Sequence, residues 1–319
     1  MKAKFNQWII AVVENMSKEK FLIGPSILRI VLGVIMLYNY FIHYFQRHLL
    51  FSHEGIGLFN ANYSLYDLVK SPLQFDIIYH LAILITMLFI IGYGNRFITI
   101  LNFIFYHSFY QRLSYMADGG DNLLYIVLFL LIFVNVTTYF SVDNVLYKRR
   151  GKPFKHSSWS IIIHNIFVVA IIIQVCIVYF TSACYQLMGE VWSNGTALYY
   201  ISQVDAFSRP SLTYFVENFM YLSVLFSYLS IFIKLAFPFI ILNKRLKLCA
   251  VLALCSFHFG ILVGMGLLSF SMVMISMEFL IFTDQEYKKV FSLKESLKIN
   301  VVRLIFSFKQ KFGRKTPSQ

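Results

Sequence analysis

At 319 residues the chain is long enough for two soluble domains, but it is 58% hydrophobic and only 13% charged, against about 25% charged in a soluble globular chain. With 34 Phe, 21 Tyr and 3 Trp and several apolar runs of span length, it reads as a membrane protein; disorder, a disulfide scaffold and a cytosolic enzyme are excluded. A net charge of +13 would point to nucleic acid in a soluble protein, yet here the positions of the charges matter more than their sum, and no nucleic-acid partner is expected.

Before the first long apolar run, Trp8 to Val13 is too short for a secretory signal and is followed by Glu14, Lys18, Glu19 and Lys20 without a small-residue cleavage site. Residues 1–20 are therefore expected to lie on the inner membrane surface. Eight stretches can then cross a bilayer as helices, for which about 20 apolar residues suffice: 22–45, 77–93, 97–115, 122–140, 159–184, 215–242, 246–265 and, the shortest, 268–282. Lys and Arg set the orientation, because they are retained on the cytoplasmic side. Threaded through eight spans, 22 basic residues fall on one side and four, Arg47, Lys70, Arg112 and Arg209, on the other. Fusing the last two spans would carry the nine basic residues of 288–315 outside, so Gly264-Met265-Gly266 reads as a tight hairpin. The expected fold class is all-α: a polytopic membrane helix bundle of about eight transmembrane helices, seven at least, with both termini cytoplasmic. Its parts are the surface segment 1–20, a transmembrane domain 21–283 and a basic amphipathic tail 284–319. In that tail Val290, Leu293, Leu297, Val301 and Leu304 alternate with Lys294, Lys298 and Arg303, the pattern of a helix lying on anionic lipid.

Cysteines Cys176, Cys184, Cys249 and Cys255 fall within or at the ends of spans, where packing is their ordinary role. No CxxC, HExxH or glycine-rich phosphate loop occurs, so neither a metal nor a nucleotide is expected.

Ionisable groups at membrane depth are costly and are candidate functional groups by default. Four fall in spans: Arg29, Glu217, Lys234 and Glu278. Lys234 lies close enough to the inner face to snorkel there. Span histidines such as His164 and His258 are ordinarily packing groups held by a hydrogen bond. In the fifth span, at about 100° per residue, Gln174, Thr181 and Tyr185 share a side that His164, Ser182 and Gln186 extend. Such a stripe serves helix–helix hydrogen bonding or lines a polar cavity. On the outer side Asp118-Gly119-Gly120-Asp121 follows Arg112. The glycines make a turn, Asp121 is placed to cap the next helix, and Asp118 is left to pair with Arg112 at a cavity mouth. After the fifth span, Gly189-Glu190-Val191-Trp192 and Asn194-Gly195-Thr196 through Tyr200 form an interface belt long enough to act as a lid.

These pieces together, Arg29-Ile30, Asp118 through Leu124, Tyr179 through Trp192 with Gly195-Thr196-Ala197, and His258-Phe259-Gly260-Ile261 with Phe270, resemble the HTTM membrane family related to vitamin K-dependent γ-glutamyl carboxylase. Within it the chain is similar to the bacterial SdpB-like proteins, which lack the large extracytoplasmic domain of the carboxylase and act in producing secreted antimicrobial peptide toxins. The resemblance implies a bacterial cell-membrane protein that matures a precursor peptide at an outer-facing cavity, beside a soluble partner encoded in the same operon. If the chain is catalytic, the candidate groups are Asp118 and Asp121 as acids at the mouth and His258 as a membrane-embedded acid/base, with Arg112, His164, Gln174, Tyr185, Gln186 and Trp192 lining the substrate. The alternatives are an exporter of the peptide and a non-catalytic immunity protein or receptor. A reduced quinone is the cofactor the family implies. Carboxylase-like members carry a Lys before Leu-x-Gly-x-x-Trp, however, and here Gln186 precedes Leu187-Met188-Gly189. Gln cannot titrate and so cannot serve as a general base.

Overall fold

The structure, a computed structural model, describes residues 7, 11, 13–52, 55–56, 64–113, 116–151 and 156–293, and every regular element among them is helical. In chain order the α-helices are α1 (Ile23–Ile42), α2 (Arg47–Phe51), α3 (Pro72–Ile91), α4 (Asn95–Leu113), α5 (Gly119–Leu131), α6 (Val142–Arg149) and α7 (Ser158–Met188). After them come α8 (Glu190–Ser193), α9 (Ala197–Ser202), α10 (Pro210–Asn218), α11 (Met220–Ile240), α12 (Lys247–Met265) and α13 (Leu268–Met277). Short 3-10 turns at Leu65–Leu68 and Glu278–Ile281 complete the parts that matter below. Each of the eight expected segments contains a helix. Five of these, α1, α3, α7, α11 and α12, are long and apolar enough to cross a membrane, while Gly119–Leu131 and Leu268–Ile281 are apolar but shorter.

Local chemistry explains where helix ends depart from the expected spans. α3 starts five residues early, because Ser71 accepts a hydrogen bond from the Gln74 N–H and Pro72 takes the first helical position. The stretch expected at 122–140 is helical only to Leu131, and turns follow it. Carbonyls freed by that unwinding would be costly in an apolar interior, and Arg29 collects them. Its guanidinium donates to Val136 O (3.1 Å), Phe140 O (2.7 Å), Phe89 O (2.5 Å) and Ile90 O. The buried charge of α1 is thus a clamp on the ends of α3 and α5. The span expected at 215–242 is two helices, since Phe219 leaves the helical region (φ −130°, ψ 53°) after Asn218 turns its side-chain amide onto Tyr214 O. Glu217, expected within the span, consequently rides exposed on α10, outside the long helix.

The expected hairpin stands between α12 and α13, where Gly266 at φ +75° closes α12; that backbone is one a residue with a Cβ seldom adopts. The hairpin returns α13 to the middle of the bundle, in contact with α1, α5 and α12. Its Ser271, Val273 and Ser276 are completely buried. α11 lies along α7, and α3 along α1. The Asp284 carboxylate caps the start of α1 by accepting from the Leu22 and Ile23 N–H groups (3.0 and 2.8 Å). The tail positions 294–319 and most of 1–12, on which the surface-helix expectations rest, lie outside the described residues.

Candidate functional site

On α11 the positions Ser223, Ser227, Ser230 and Lys234 are spaced four, three and four apart, which puts them on one side of a helix. All four are buried. The serines donate to carbonyls of their own helix (Ser223 to Phe219 O, Ser227 to Ser223 O, Ser230 to Ser227 O; 3.1, 3.0 and 2.9 Å). Lys234 does not snorkel to the inner face. It is 4% exposed, and its Nζ turns into the bundle, 3.4 Å from Ser182 Oγ, 5.1 Å from the centre of the Phe257 ring and 5.8 Å from that of Trp192. The reversal has a simple cause: a four-carbon stem can follow either direction of the helix, and two aromatic faces stabilise a cation.

Beside it three helices contribute one buried polar chain. Tyr179 of α7 donates its hydroxyl proton to Glu278 Oε1 (2.8 Å) and lies 3.1 Å from His258 Nε2 of α12. With the phenol proton committed to Glu278, the hydroxyl oxygen accepts from His258, which places the ring proton on Nε2 and leaves Nδ1 an acceptor. Neither Nδ1 nor Glu278 Oε2 has a partner among the described residues. The Tyr179 and Phe237 rings meet edge to face at 4.9 Å, and Phe270 stands 5.7 Å from the His258 ring.

Close to this cluster, a cavity of about 590 Å³ opens between α11 and α12, its wall including the Trp192 and Phe257 that face Lys234. Its walls are mostly apolar, including Phe226, Phe257 and Ile261, and α10 and Trp192 roof it. The roof is tied down: Arg209 N–H donates to Gly264 O (3.0 Å), Ser211 Oγ to Val263 O (2.9 Å), and Tyr228 OH to Ser193 O (2.8 Å). The loop read as a lid is therefore a set of short helices seated against α11 and the hairpin.

Asp118, not Asp121, takes the N-cap duty, and neither aspartate pairs with Arg112. Asp118 is the N-cap of α5, accepting from Gly120 and Asp121 N–H (2.7 and 3.0 Å), and Asp121 returns a carboxylate oxygen to the Asp118 N–H (3.2 Å). This reciprocal capping box leaves Asp118 no pairing role. Arg112, 2% exposed, pairs with Asp67 in the 3-10 turn Leu65–Leu68 instead. Gly120 brings the box against α13, where an added Cβ would come 2.7 Å from Phe270 Cα. Phe270 thereby touches both the box and His258.

Along α7 the buried residues are Ile161, His164, Asn165, Val168, Ile171, Val175, Tyr179 and Ala183, so of the polar stripe only His164 is fully buried. Thr181 and Tyr185 point outward, Tyr185 being 75% exposed, and Gln174 is half-buried. His164 is fully buried toward the other end, accepting from the Asn135 N–H (3.1 Å) and lying 2.9 Å from Lys20 O, as a brace between segments. Of the stripe, Ser182 faces Lys234, and Gln186 has a buried Oε1 without a partner among the described residues. Gln186, an amide, supplies no base for a reduced quinone, and no step here passes through one. Tyr179 stands in the sequence only as part of the resemblance, with no site role, and the serine stripe is missed; the stripe's 4-3-4 spacing is the signal that finds it.

The fold and site define a membrane protein of many helices that carries buried titratable groups near an apolar cavity. The chain is similar to the sporulation-delaying protein SdpB of Bacillus subtilis (strain 168), 28% identical over 208 residues, which cover 64% of this chain and 63% of that protein. No family model and no solved structure matches the chain.

Proposed function

We propose that the chain is a multi-pass protein of the bacterial cell membrane, with eight crossings and both ends cytoplasmic, that serves the production of a secreted antimicrobial peptide as the SdpB-like HTTM proteins do. The observation that carries this reading is the apolar cavity walled in part by Trp192 and Phe257, whose rings face Lys234, with His258 next to Phe257 on the same helix, joined to the similarity to SdpB. Such a cavity suits an apolar segment of a precursor. His258, oriented by Tyr179 and Glu278, is the acid/base group of the site, and its unshared Nδ1 is the atom that takes a proton. The capping box of Asp118 and Asp121 fixes Phe270 against His258 as a positioning element. A soluble partner encoded nearby would work on the outer side of the same cavity.

The test is His258→Phe in a producing strain, with mature peptide in the medium measured by mass spectrometry and protein in the membrane fraction measured by immunoblot. The reading expects normal insertion, loss of mature peptide, and uncleaved precursor held in the membrane. Full production would refute the catalytic role of His258. Processed peptide trapped inside the cell would show export in place of maturation, and survival of sensitive cells expressing this chain alone would show an immunity protein.

A further inference from the structure

We infer that the cavity holds the C-terminal end of an apolar peptide and that Lys234 binds its free carboxylate. The inference rests on the proposed function in taking this cavity as the peptide site. Lys234 Nζ has three N–H donors, yet its contacts are one long hydrogen bond to Ser182 and two ring faces. No carboxylate among the described residues pairs with it. Glu278 is engaged by Tyr179, and Asp118 and Asp121 by their own backbone. An ammonium at this depth calls for an anion, and the residues flanking it, Ser230, Ile233, Trp192 and Phe257, all line the cavity.

The walls decide what carries the anion. Four lining serines give their protons to helix carbonyls: Ser211 to Val263 O, Ser227 to Ser223 O, Ser230 to Ser227 O and Ser256 to Leu252 O. Each hydroxyl oxygen therefore keeps lone pairs to accept from an incoming N–H. A peptide backbone supplies such donors, and a fatty acyl chain has none. Between these serines the walls are apolar and aromatic, the complement of apolar side chains.

The experiment uses the purified full-length protein in nanodiscs of zwitterionic lipid, with Trp emission as the signal and Trp192→Phe as its control. The probes are an apolar heptapeptide with a free C-terminal carboxylate, the same peptide as its amide, and dodecanoic acid. The expected result is at least tenfold tighter binding of the acid peptide than of the amide, with dodecanoic acid weaker than both. Lys234→Met is expected to equalise acid and amide at the affinity of the wild-type protein for the amide. Ser230→Leu, which keeps the charge and fills the cavity, is expected to abolish both. Equal binding of acid and amide to the wild type, a preference that survives in Lys234→Met, undiminished binding to Ser230→Leu, or tighter binding of dodecanoic acid would each overturn the inference. Peptide production that continues without the protein would defeat the functional proposal while leaving this binding result intact.

Discussion

Replacing Tyr179 by Phe removes one oxygen and leaves the ring packing in place. That oxygen is the sole partner of the Glu278 carboxyl and of the His258 ring among the described residues, since Glu278 Oε2 and His258 Nδ1 have none. The variant therefore strands two polar groups that are each 2% exposed. Leaving a buried group unsatisfied costs about 1–3 kcal/mol, but measured interhelical bonds in membrane bundles average about 0.6 and reach about 1.7 kcal/mol. The expected loss is about 2 kcal/mol. Unfolding by SDS titration in mixed micelles, followed by far-ultraviolet circular dichroism, measures it. Adding Glu278→Leu removes one stranded group, so the double variant is expected to be about 1 kcal/mol more stable than the sum of the two single losses predicts. A Tyr179→Phe protein within 0.5 kcal/mol of wild type (~0.5 being the usual scatter of benign changes), or strict additivity of the pair, would show that the three side chains do not form one network.

Other expectations follow from the same geometry. Asp118→Ala should cost about 1 kcal/mol as a lost N-cap, whereas Asp118→Asn should keep both stability and peptide production; a stable but inactive Asn variant would restore an acid's role to this position. Gly120→Ala forces a Cβ to within 2.7 Å of the Phe270 backbone, which cannot yield as a side-chain tip can. A thermal-stability loss of about 1–3 kcal/mol, the range for overpacking, is expected, with a smaller effect at Gly119, whose Cβ would meet only the Phe270 ring edge at 3.7 Å. Burial alone would raise the Glu286 carboxyl, but hydrogen bonds from Lys247 and Thr283 outweigh it and hold the group below its usual range. The folded pKa lies below the unfolded value of about 4.3, so the contribution is complete above that value and fades as pH falls through the folded pKa. The melting-temperature gap between wild type and Glu286→Gln should shrink on acidification from pH 7, and a gap that stays constant would contradict the assignment.

The apolar stretches, the hairpin at Gly266 and the Asp-Gly-Gly-Asp turn are local features, written in residue types and spacings, and each appears as a helix, a hairpin or a cap. Arg29 and Lys234 were visible as charges within apolar runs, but their partners were not: Arg29 meets carbonyls 60 to 111 residues away, and Lys234 reaches Ser182 on another helix. The side of α7 that faces inward was equally out of reach. Gln174, Thr181 and Tyr185 looked like the interior stripe, yet Tyr179 on another side is buried and carries the site. In a soluble helix, water selects the polar side as the outer one. In a membrane helix, lipid tails and bundle interior are equally apolar, so the pattern of one sequence does not set the rotation. Only the packing of α7 against α11, α5 and the turn Glu278–Ile281 decided which side chains meet.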